Sequence, residues 1–518
     1  MRTTLGCVLG SWMLAAAPAF GGERPVIDGV FREWSGVTPH ATDPGGDATG
    51  NFDLTEARLQ SRGTALFLQV TFVNAFNLPD GPATDTDLRV SIRRLPSGSQ
   101  LTFGFREKLP KLNGTNMSWR PLAFTSAPTT ASDRMEMRID LASLGVAVGD
   151  TVRVEFSGAD AFGAPIDFTL TEPALDIPRR STARVACTDL RVASLNTYVT
   201  GLLNAQRAPA LRRMLDAVNA DVYLFQEEYN STAADLTSLM NAVDPKDDAI
   251  PWTVVKSGEL AIASQWPMIP VSLNERHFAA VVRVPGGPDV FVINVHPFCC
   301  GYAGSGSDFS RIDLASDAIV DVARLRSGTL LPALVPYADA PIVIGGDWNL
   351  VGSSTPRDLW EQSPTRLSRV PLRKLIGDDF WTWNNYNAAS TIGGFWPGLL
   401  DLFLVQRPQL FPRGGFVLDS RDLSAAELAA MGLQAADSGA SDHLLLVLDL
   451  GRLPRTDFSG DGIVTDGDFQ IFAAAYNILD CADLAMAYGC PADLNADGLV
   501  DDEDFQFFVI AYDELVCP

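Results

Sequence analysis

One short segment, Pro341 to Asn349, constrains the fold of this chain more than any other stretch. Its sequence, PIVIGGDWN, runs from β-branched apolar residues through two glycines to Asp347 and Asn349. Such a run predicts a buried strand that stops where the backbone turns tightly. The strand therefore brings a carboxylate and a carboxamide to its end, where they either cap the turn or line a site.

Polar residues also close or open four other apolar runs of the same region. They are Asn196, Glu227, Asn294 with His296, and Asp442 with His443. Hard metal ions prefer oxygen ligands, and histidines and carboxylates are the common acid-base groups of enzymes. A single run of this kind is usually a turn, but five of them indicate a site.

The charge distribution separates the end of the chain from the rest. With 518 residues and 47% apolar content, the chain has material for more than one hydrophobic core. Its formal net charge of -24 argues against nonspecific binding of nucleic acid through a basic surface. Residues 453–518 carry 14 acidic side chains and 1 basic side chain, so more than half of the net charge belongs to this tail.

The first residues predict a secretory signal peptide. Arg2 supplies a positive start, Leu5 to Leu14 is largely apolar, and Ala17-Pro18-Ala19 is a small-residue cleavage pattern. We therefore expect residues 1–19 to be removed and the mature protein to be secreted or associated with the cell surface. No stretch is long and apolar enough to predict a transmembrane segment. Six cysteines remain after cleavage, in a compartment that permits disulfides.

Residues 25–175 contain short runs of alternating polarity, such as Ala65 to Phe72 and Val152 to Phe156, between Gly, Pro, Asn and Asp clusters. This pattern predicts an antiparallel β-sandwich. The opening stretch from Val26 to Trp34 resembles family 9-like carbohydrate-binding modules of secreted proteins, which implies a glycan as partner. Trp34 could stack on a sugar, but a position in the core is the favoured interpretation.

A linker from Thr171 to Arg184 leads into residues 184–452. There Leu211, Leu215 and Val218 recur on one helical face, and an apolar strand pattern follows directly. This alternation of helix and strand predicts a layered α/β fold.

The motifs of residues 184–452 resemble the endonuclease/exonuclease/phosphatase superfamily. It includes pancreatic-type deoxyribonucleases, abasic-site endonucleases, bacterial sphingomyelinases and inositol polyphosphate 5-phosphatases. The blocks that carry the resemblance are FQE, INVH, GGDWN, LDLF and SDH, and they occur in the family's order. The resemblance implies a four-layer αββα sandwich, with two packed sheets, helices outside and one cleft formed by the strand-end loops.

The resemblance also implies a divalent metal site. Glu227 corresponds to the metal-binding glutamate of the family, Asn196 stands beside it, and Asp442 completes an oxygen-rich site suited to Mg²⁺ or Mn²⁺. Glu228 follows directly in the sequence, and the alternation of a strand favours Glu227 as the inward residue of the two.

The catalytic roles follow from the same resemblance. Asp347 corresponds to the aspartate that orients or deprotonates the attacking water, and Asn349 to the amide that positions this water or the phosphate. His296 and His443 correspond to the histidines that flank the scissile phosphate and stabilise the transition state or protonate the leaving oxygen. Asp401 corresponds to the carboxylate that fixes the tautomer of the second histidine.

Four more residues near His296 are assigned to the substrate side of the cleft or its rim. Asn294 supports the block that contains His296. Arg311 either contacts a substrate phosphate or occupies a helix surface. Cys299 and Cys300 form a vicinal disulfide or a rigid loop at the rim, or they pair with distant cysteines or stay free.

The tail, residues 455–518, contains a duplicated acidic loop with a period of 36 residues. Oxygen-bearing residues at the loop positions that wrap Ca²⁺, with glycine at position 6, make the pair resemble the EF-hand loops of a type I dockerin. We therefore expect a small all-α tail that binds Ca²⁺ and a cohesin-like or cell-surface partner. The expected calcium positions are Asp457, Ser459, Asp461, Ile463, Thr465 and Asp468 in the first loop, and Asp493, Asn495, Asp497, Leu499, Asp501 and Asp504 in the second.

Aromatic residues and cysteines of the tail predict how it packs. Four phenylalanines recur three residues apart after the loops, so we expect their rings to pack together across the duplicate; they are Phe469, Phe472, Phe505 and Phe508. Cys481, Cys490 and Cys517 predict a disulfide staple whose connectivity the sequence leaves open.

The sequence thus predicts a multidomain protein with an N-terminal β-sandwich, a central four-layer αββα sandwich and a small all-α calcium-binding tail. The favoured hypothesis is a secreted, metal-dependent phosphoesterase that acts on nucleic acid. Alternatives are a sphingomyelinase-like or other phosphoesterase, and an adhesive binding protein whose central domain has lost catalysis.

Overall fold

The computed structural model describes residues 25–48, 50–77, 86–96, 98–174, 176–177, 179–243, 250–365, 367–377, 380–383, 396–459, 463–487 and 489–514. The predicted signal peptide, Asp461 and Cys517 lie outside these residues.

The N-terminal region consists of short antiparallel strands. They are β1 (Ala41–Thr42), β2 (Leu54–Arg62), β3 (Ala65–Phe76), β4 (Leu88–Arg94), β5 (Gln100–Gly104), β6 (Lys111–Leu112), β7 (Thr115–Asn116), β8 (Thr125–Ala127), β9 (Ser132–Asp140), β10 (Thr151–Gly158) and β11 (Ile166–Thr169). One sheet has the order β1-β2-β3-β9-β8 and the other the order β11-β10-β4-β5-β6-β7. One hydrophobic core joins the two sheets, which is compatible with the predicted sandwich.

Trp34 occupies a core position, as the favoured interpretation predicted. Its side chain is 2% exposed, and its indole N–H donates to Glu136 at 2.8 Å. Because Trp34 is buried, it does not provide an exposed aromatic platform for a sugar.

The central region alternates strands and helices. They are β12 (Leu190–Asn196), α1 (Ala208–Val218), β13 (Val222–Gln226), α2 (Ala233–Val243), β14 (Thr253–Ser257), β15 (Leu260–Ser264), β16 (Met268–Asn274), β17 (His277–Val282), β18 (Val290–Val295), α3 (Gly306–Arg326), β19 (Ile342–Asp347), α4 (Thr355–Glu361), β20 (Leu367–Val370), β21 (Asp401–Gln406), β22 (Phe411–Leu418), α5 (Ala425–Met431) and β23 (Leu445–Gly451).

Two six-stranded sheets form the middle of this region, with the orders β14-β15-β13-β12-β23-β22 and β16-β17-β18-β19-β21-β20. A core of Val, Leu, Ile and Phe side chains fills the space between them. Side chains of α1 and α2 cover the outer face of the first sheet, and side chains of α3 and α4 cover that of the second. These layers are compatible with the predicted αββα sandwich.

The direction of the strands explains why the polar strand ends meet. β12 runs parallel to β13, and β18 runs parallel to β19, so the carboxyl ends of each pair lie side by side. β21 and β23 run antiparallel to β19 and β12, so they begin where those strands end. The ends and beginnings of these strands therefore share one edge of the two packed sheets.

The tail contains α6 (Asp466–Ile478) and α7 (Asp502–Glu514). The predicted ring packing across the duplicate is present, since Phe472 and Phe508 lie 5.1 Å apart between ring centroids, and Phe469 and Phe505 lie 6.3 Å apart. Cys481 and Cys490 form a disulfide. The tail packs on the central region through Phe411. Among the helices that the structure describes, none is long and apolar enough to span a membrane.

Candidate active site

Asp347 stands at the centre of the candidate site. It ends β19 and is 1% exposed. Its Oδ2 lies 3.5 Å from Nε2 of His296, 3.5 Å from Nε2 of His443 and 3.1 Å from Nδ2 of Asn196. Residues more than 150 positions apart in sequence thus converge on one carboxylate oxygen.

Each histidine is oriented by a second carboxylate. Nδ1 of His443 lies 2.8 Å from Oδ2 of Asp401, and Nδ1 of His296 lies 2.7 Å from Oε1 of Glu259. A carboxylate on Nδ1 fixes the ring and leaves Nε2 facing the centre. The site is therefore built from two carboxylate–histidine pairs on either side of Asp347.

A threonine holds the first of these carboxylates in place. The hydroxyl of Thr382 donates to Oδ2 of Asp401 at 2.7 Å and accepts from the backbone N–H groups of Leu400 and Asp401 at 3.1 and 2.9 Å. The orientation of His443 thus depends on the segment just before β21.

Glu227, and not Glu228, faces the site. Oε1 of Glu227 accepts from Nδ2 of Asn196 at 3.2 Å and lies 3.9 Å from Nε2 of His296. Glu228 is fully buried and accepts from the hydroxyl of Thr197 at 2.7 Å. Glu227 has a positive φ of 63°, which places consecutive carboxylates in different surroundings.

The side chain of Asp442 indicates that the carboxylates of the site can hold a divalent metal ion. Its Oδ1 is a buried atom with no hydrogen-bond partner among the described residues, and a buried carboxylate oxygen of this kind calls for a cation. Glu227 offers a second carboxylate. In addition, one ligand atom each of Asp347, Asp401 and His443 lie within 4.8 Å of one another. The oxygen-rich donor set fits a divalent metal ion.

Burial and the charges of neighbouring groups shift the pKa values of Asp347 and the two histidines. Burial disfavours a charged imidazole, but the negative charges of Asp401 and Asp347 outweigh it and raise the pKa of His443 to about 10. Burial raises the pKa of Asp347 to about 6, although the charge on His443 opposes this. Burial also disfavours a charged His296, but the hydrogen bond to Glu259 outweighs burial and raises the pKa of His296.

Two residues assigned to the substrate side have other contacts. Asn294 is fully buried between the sheets, where its amide donates to the carbonyls of Phe225 and Ala261 at 2.9 Å and accepts from Gln226 at 2.7 Å. Its amide is thus occupied inside the protein, which suits a supporting role, and the expected contact with substrate stays a prediction.

Arg311 is fully buried and donates to the carbonyls of Phe298 and Cys300 at 2.9 and 2.8 Å and to Asp308 at 3.2 Å. Neither the phosphate contact nor the helix-surface role fits this placement. The residue instead clamps the loop after β18, and Asn349 supports the same loop by donating to the carbonyl of Pro297 at 3.0 Å.

Cys299 and Cys300 lie on this clamped loop. Their sulfur atoms are 2.7 Å apart, with Cys300 donating, and neither forms a disulfide with a distant cysteine. The hydrogen bond from Cys300 lowers the pKa of Cys299 to about 6. These contacts favour a local arrangement, a vicinal disulfide or a rigid loop, over pairing with distant cysteines.

Sequence reasoning missed Glu259 and Thr382. Glu259 follows Gly258 in the tight turn between β14 and β15, where a carboxylate looks like an ordinary solvent-exposed turn residue. Only the packing of the two sheets places it 5% exposed beside His296. Thr382 precedes Asp401 by nineteen residues, and no local pattern marks it.

The calcium positions assigned in the tail lie on the two loops before α6 and α7. The last residue of each loop accepts backbone N–H groups from its own loop: Asp468 from Ser459 and Thr465, both at 2.8 Å, and Asp504 from Asn495 at 3.0 Å and Asp501 at 2.9 Å. The two copies thus share one internal geometry.

Comparisons with known proteins place the central region. Residues 193–443 match the Endonuclease/Exonuclease/phosphatase family. No curated protein sequence shows a significant match to the chain.

Part of the chain is similar to three solved structures, each with a TM-score below 0.5. The 3′ phosphatase NExo from Neisseria, bound to a product DNA hairpin, is 18% identical, with 50% of this chain and 98% of that chain covered and a TM-score of 0.34. The catalytic domain of human Nocturnin is 16% identical, with coverages of 53% and 97% and a TM-score of 0.32. TDP2 from D. rerio, complexed with a single-strand DNA product, is 16% identical, with coverages of 51% and 98% and a TM-score of 0.34.

Proposed function

We propose that this chain, whose residues 193–443 match the Endonuclease/Exonuclease/phosphatase family, is a divalent-metal-dependent phosphoesterase that hydrolyses phosphodiester bonds in nucleic acid. The observation that carries the proposal is the convergence of two carboxylate-oriented histidines on Asp347. Each buried charge costs free energy unless it is paired. A protein that only adheres to a partner would gain nothing from this arrangement of buried charges.

We assign each residue a step in the hydrolysis. Asp347 accepts a proton from water as the water oxygen attacks phosphorus. His443 is positively charged at neutral pH and points Nε2 toward the same centre, so it stabilises the negative charge of the transition state. As the bond from phosphorus to the leaving oxygen breaks, a histidine Nε2–H protonates that oxygen.

The metal would be held by the carboxylates of Glu227 and Asp442, with Asn196 beside them. When bound, it would polarise a phosphoryl oxygen and neutralise part of its charge. The hydrogen bond from Asn196 to Glu227 orients that carboxylate, and Ser441 donates to the carbonyl of Asn196 at 2.7 Å, so Asn196 and the segment before His443 are fixed together.

The experiment that tests the proposal compares substrates. The purified full chain is incubated with DNA, RNA, sphingomyelin and a chromogenic phosphodiester, with Mg²⁺ or Mn²⁺. We expect cleavage of DNA or RNA and of the chromogenic ester. Activity on sphingomyelin alone would replace the nucleic-acid substrate by a lipid one, and inactivity on all four would contradict the proposal.

The net charge of the chain provides a further test of nucleic acid as the substrate. With a formal net charge of -24, binding to nucleic acid releases few counterions, so we expect KM for DNA to rise only weakly with salt concentration. A steep rise would indicate a basic patch on the enzyme and contradict this account of binding.

The other parts of the chain are proposed from sequence. We propose that the protein is exported, that the tail binds Ca²⁺ and docks to a cohesin-like or cell-surface partner, and that any glycan binds the sandwich away from the buried Trp34. A glycan array and a Ca²⁺-dependent pull-down with a cohesin domain test the last two proposals. Absence of binding in each would reject the respective partner.

A further inference from the structure

Three loops of the candidate active site reach the N-terminal β-sandwich. The loop after β19, the segment before β21 and the loop after β18 all contact it. The backbone N–H of Ala131 donates to the carbonyl of Gly352 at 2.8 Å, and the hydroxyl of Thr129 donates to the carbonyl of Leu399 at 3.1 Å. Asn77 donates to the carbonyl of Val351 and accepts from the N–H of Ala303, the latter at 3.1 Å.

Trp396 fastens the segment before β21 to the sandwich. It is 4% exposed and belongs to the hydrophobic core of the sandwich, although it lies more than 200 residues beyond that domain in sequence. Four aromatic rings meet it edge to face, with centroids 5.1 to 5.9 Å away: Phe103, Phe105, Trp119 and Phe124. Such contacts stabilise a ring in one orientation.

The docked segment is closely packed against the sandwich at Gly398. A Cβ atom on Gly398 would lie 2.5 Å from Cγ2 of Thr129, so only glycine allows the methyl group of Thr129 to lie this close. The backbone N–H groups of Thr382 and Trp383 donate to the carbonyl of Gly398 at 2.9 and 3.1 Å. The docked segment is therefore continuous with the residues that hold Asp401.

A short, hydrogen-bonded path leads from Trp396 to His443. Thr382 links Gly398 to Asp401 through the bonds described above, and its carbonyl accepts from the N–H of Leu444 at 2.7 Å. Asp401 in turn orients His443. The loop that follows His296 reaches the sandwich by a separate route, through the hydrogen bond from Ala303 to Asn77.

We propose that Trp396 is a positioning residue of the active site, and that the N-terminal sandwich acts as a fixed support for the Asp401–His443 pair. The inference rests on the proposed function for its kinetic readout. It assigns the sandwich a role inside the enzyme that differs from glycan binding. Small displacements of catalytic groups lower turnover, so the support contributes to kcat more than to KM.

The test uses the full-length chain with Trp396→Ala, Trp396→Phe and the control Phe156→Leu. Phe156 is 4% exposed in the same core and packs on Phe162 at 5.2 Å. We expect Trp396→Ala to lower kcat about tenfold, with KM within about twofold of the parent. Trp396→Phe should recover most of the loss, and Phe156→Leu should leave kcat within about twofold.

A second pair of variants covers the case in which Trp396→Ala does not fold. Gly398→Ala inserts a methyl group against Thr129, and Thr129→Ser removes the methyl group that it would meet while keeping the hydroxyl. We expect Gly398→Ala to lower kcat and the double variant to restore it. A rescue of this kind follows from the contact itself and not from general stability.

A spectroscopic readout separates this inference from the proposed function. The chain has only four histidines, so the low-field proton NMR signals of the Nδ1–H groups of His443 and His296 are assignable with single variants. We expect Trp396→Ala to shift or broaden the signal of His443 and to leave that of His296 unchanged. This result would support the positioning role even in a chain that cleaves no phosphate ester.

Three results would overturn the inference. They are parental kcat together with an unchanged His443 signal in Trp396→Ala, an equal loss of kcat in Phe156→Leu, and a Gly398→Ala variant that Thr129→Ser does not rescue.

Discussion

The cleft of the candidate active site and the tail loops are both rich in carboxylates, but they balance the negative charge in different ways. In the cleft, Asp347, Asp401 and Glu259 are buried and each contacts an imidazole ring. In the tail, Asp468 and Asp504 accept backbone N–H groups of their own loops. Residues 453–518 contain 14 acidic side chains and only 1 basic side chain.

This difference indicates what a bound cation contributes to each region. The cleft supplies its own positive charge through two histidines, so its geometry is set by the protein and a metal adds reactivity. The tail has one basic side chain, Arg455, against 14 acidic ones, so we expect its acidic loops to repel one another unless a cation binds. The predictions below test this contrast.

The largest effect is expected at the centre of the cleft. Asp347→Asn and His443→Ala should each lower kcat by about 10³-fold, since each removes an acid-base or charge-stabilising group. Steady-state kinetics on the chromogenic ester measures this, with circular dichroism to verify the fold. The matched control, Asp504→Asn in the tail, should keep kcat within about twofold, and an equal loss there would break the contrast.

The two orienting carboxylates should matter less than the groups that they orient. Asp401→Asn and Glu259→Gln replace the charged acceptor of an Nδ1–H by a neutral amide and should each lower kcat by about 10- to 100-fold. Comparison of the two values shows which histidine carries more of the catalysis. Parental rates in both variants would mean that packing alone orients the rings.

The pH dependence of kcat should show a plateau with two falling limbs. Asp347 accepts a proton only when it is ionised, so activity should fall below about pH 6, where its raised pKa lies. His443 acts in its charged form, so activity should also fall above about pH 10. Each limb should change about tenfold per pH unit. An acid limb near pH 4 would show that Asp347 is not the group that titrates.

The smallest effect on turnover, and the largest on the tail, is expected from calcium. Ca²⁺ at about 100 times its Kd should stabilise the tail by about 2.7 kcal/mol per site through binding to the folded form. Differential scanning calorimetry of the full chain, with and without Ca²⁺, measures the shift. Asp493→Asn should reduce the shift while Asp442→Asn leaves it unchanged, and an unaltered tail transition in millimolar Ca²⁺ would remove the calcium assignment.

The sequence predicted the parts of this molecule that local patterns encode. The strand ends that carry Asn196, His296 and Asp347 are each marked by an apolar run that stops at a polar residue. Glu259 was missed because the contact between the two sheets, and not its own turn, gives it a role.

Arg311 and Trp396 show the same limit. A lone arginine on a helix reads as a surface or phosphate-binding residue, but burial and two loop carbonyls decide its role. Trp396 joins a core formed by a distant part of the chain. No period or motif within one segment reports a contact between domains.

The measurement that tests the central claim most directly is metal-dependent turnover of a phosphodiester by the full chain and by Asp347→Asn. The account predicts that a chelator abolishes cleavage by the parent, that Mg²⁺ or Mn²⁺ restores it, and that the variant stays at least about 100-fold slower at every metal concentration. Undiminished cleavage in excess chelator, or a variant as fast as the parent, would contradict a metal-dependent phosphoesterase centred on Asp347.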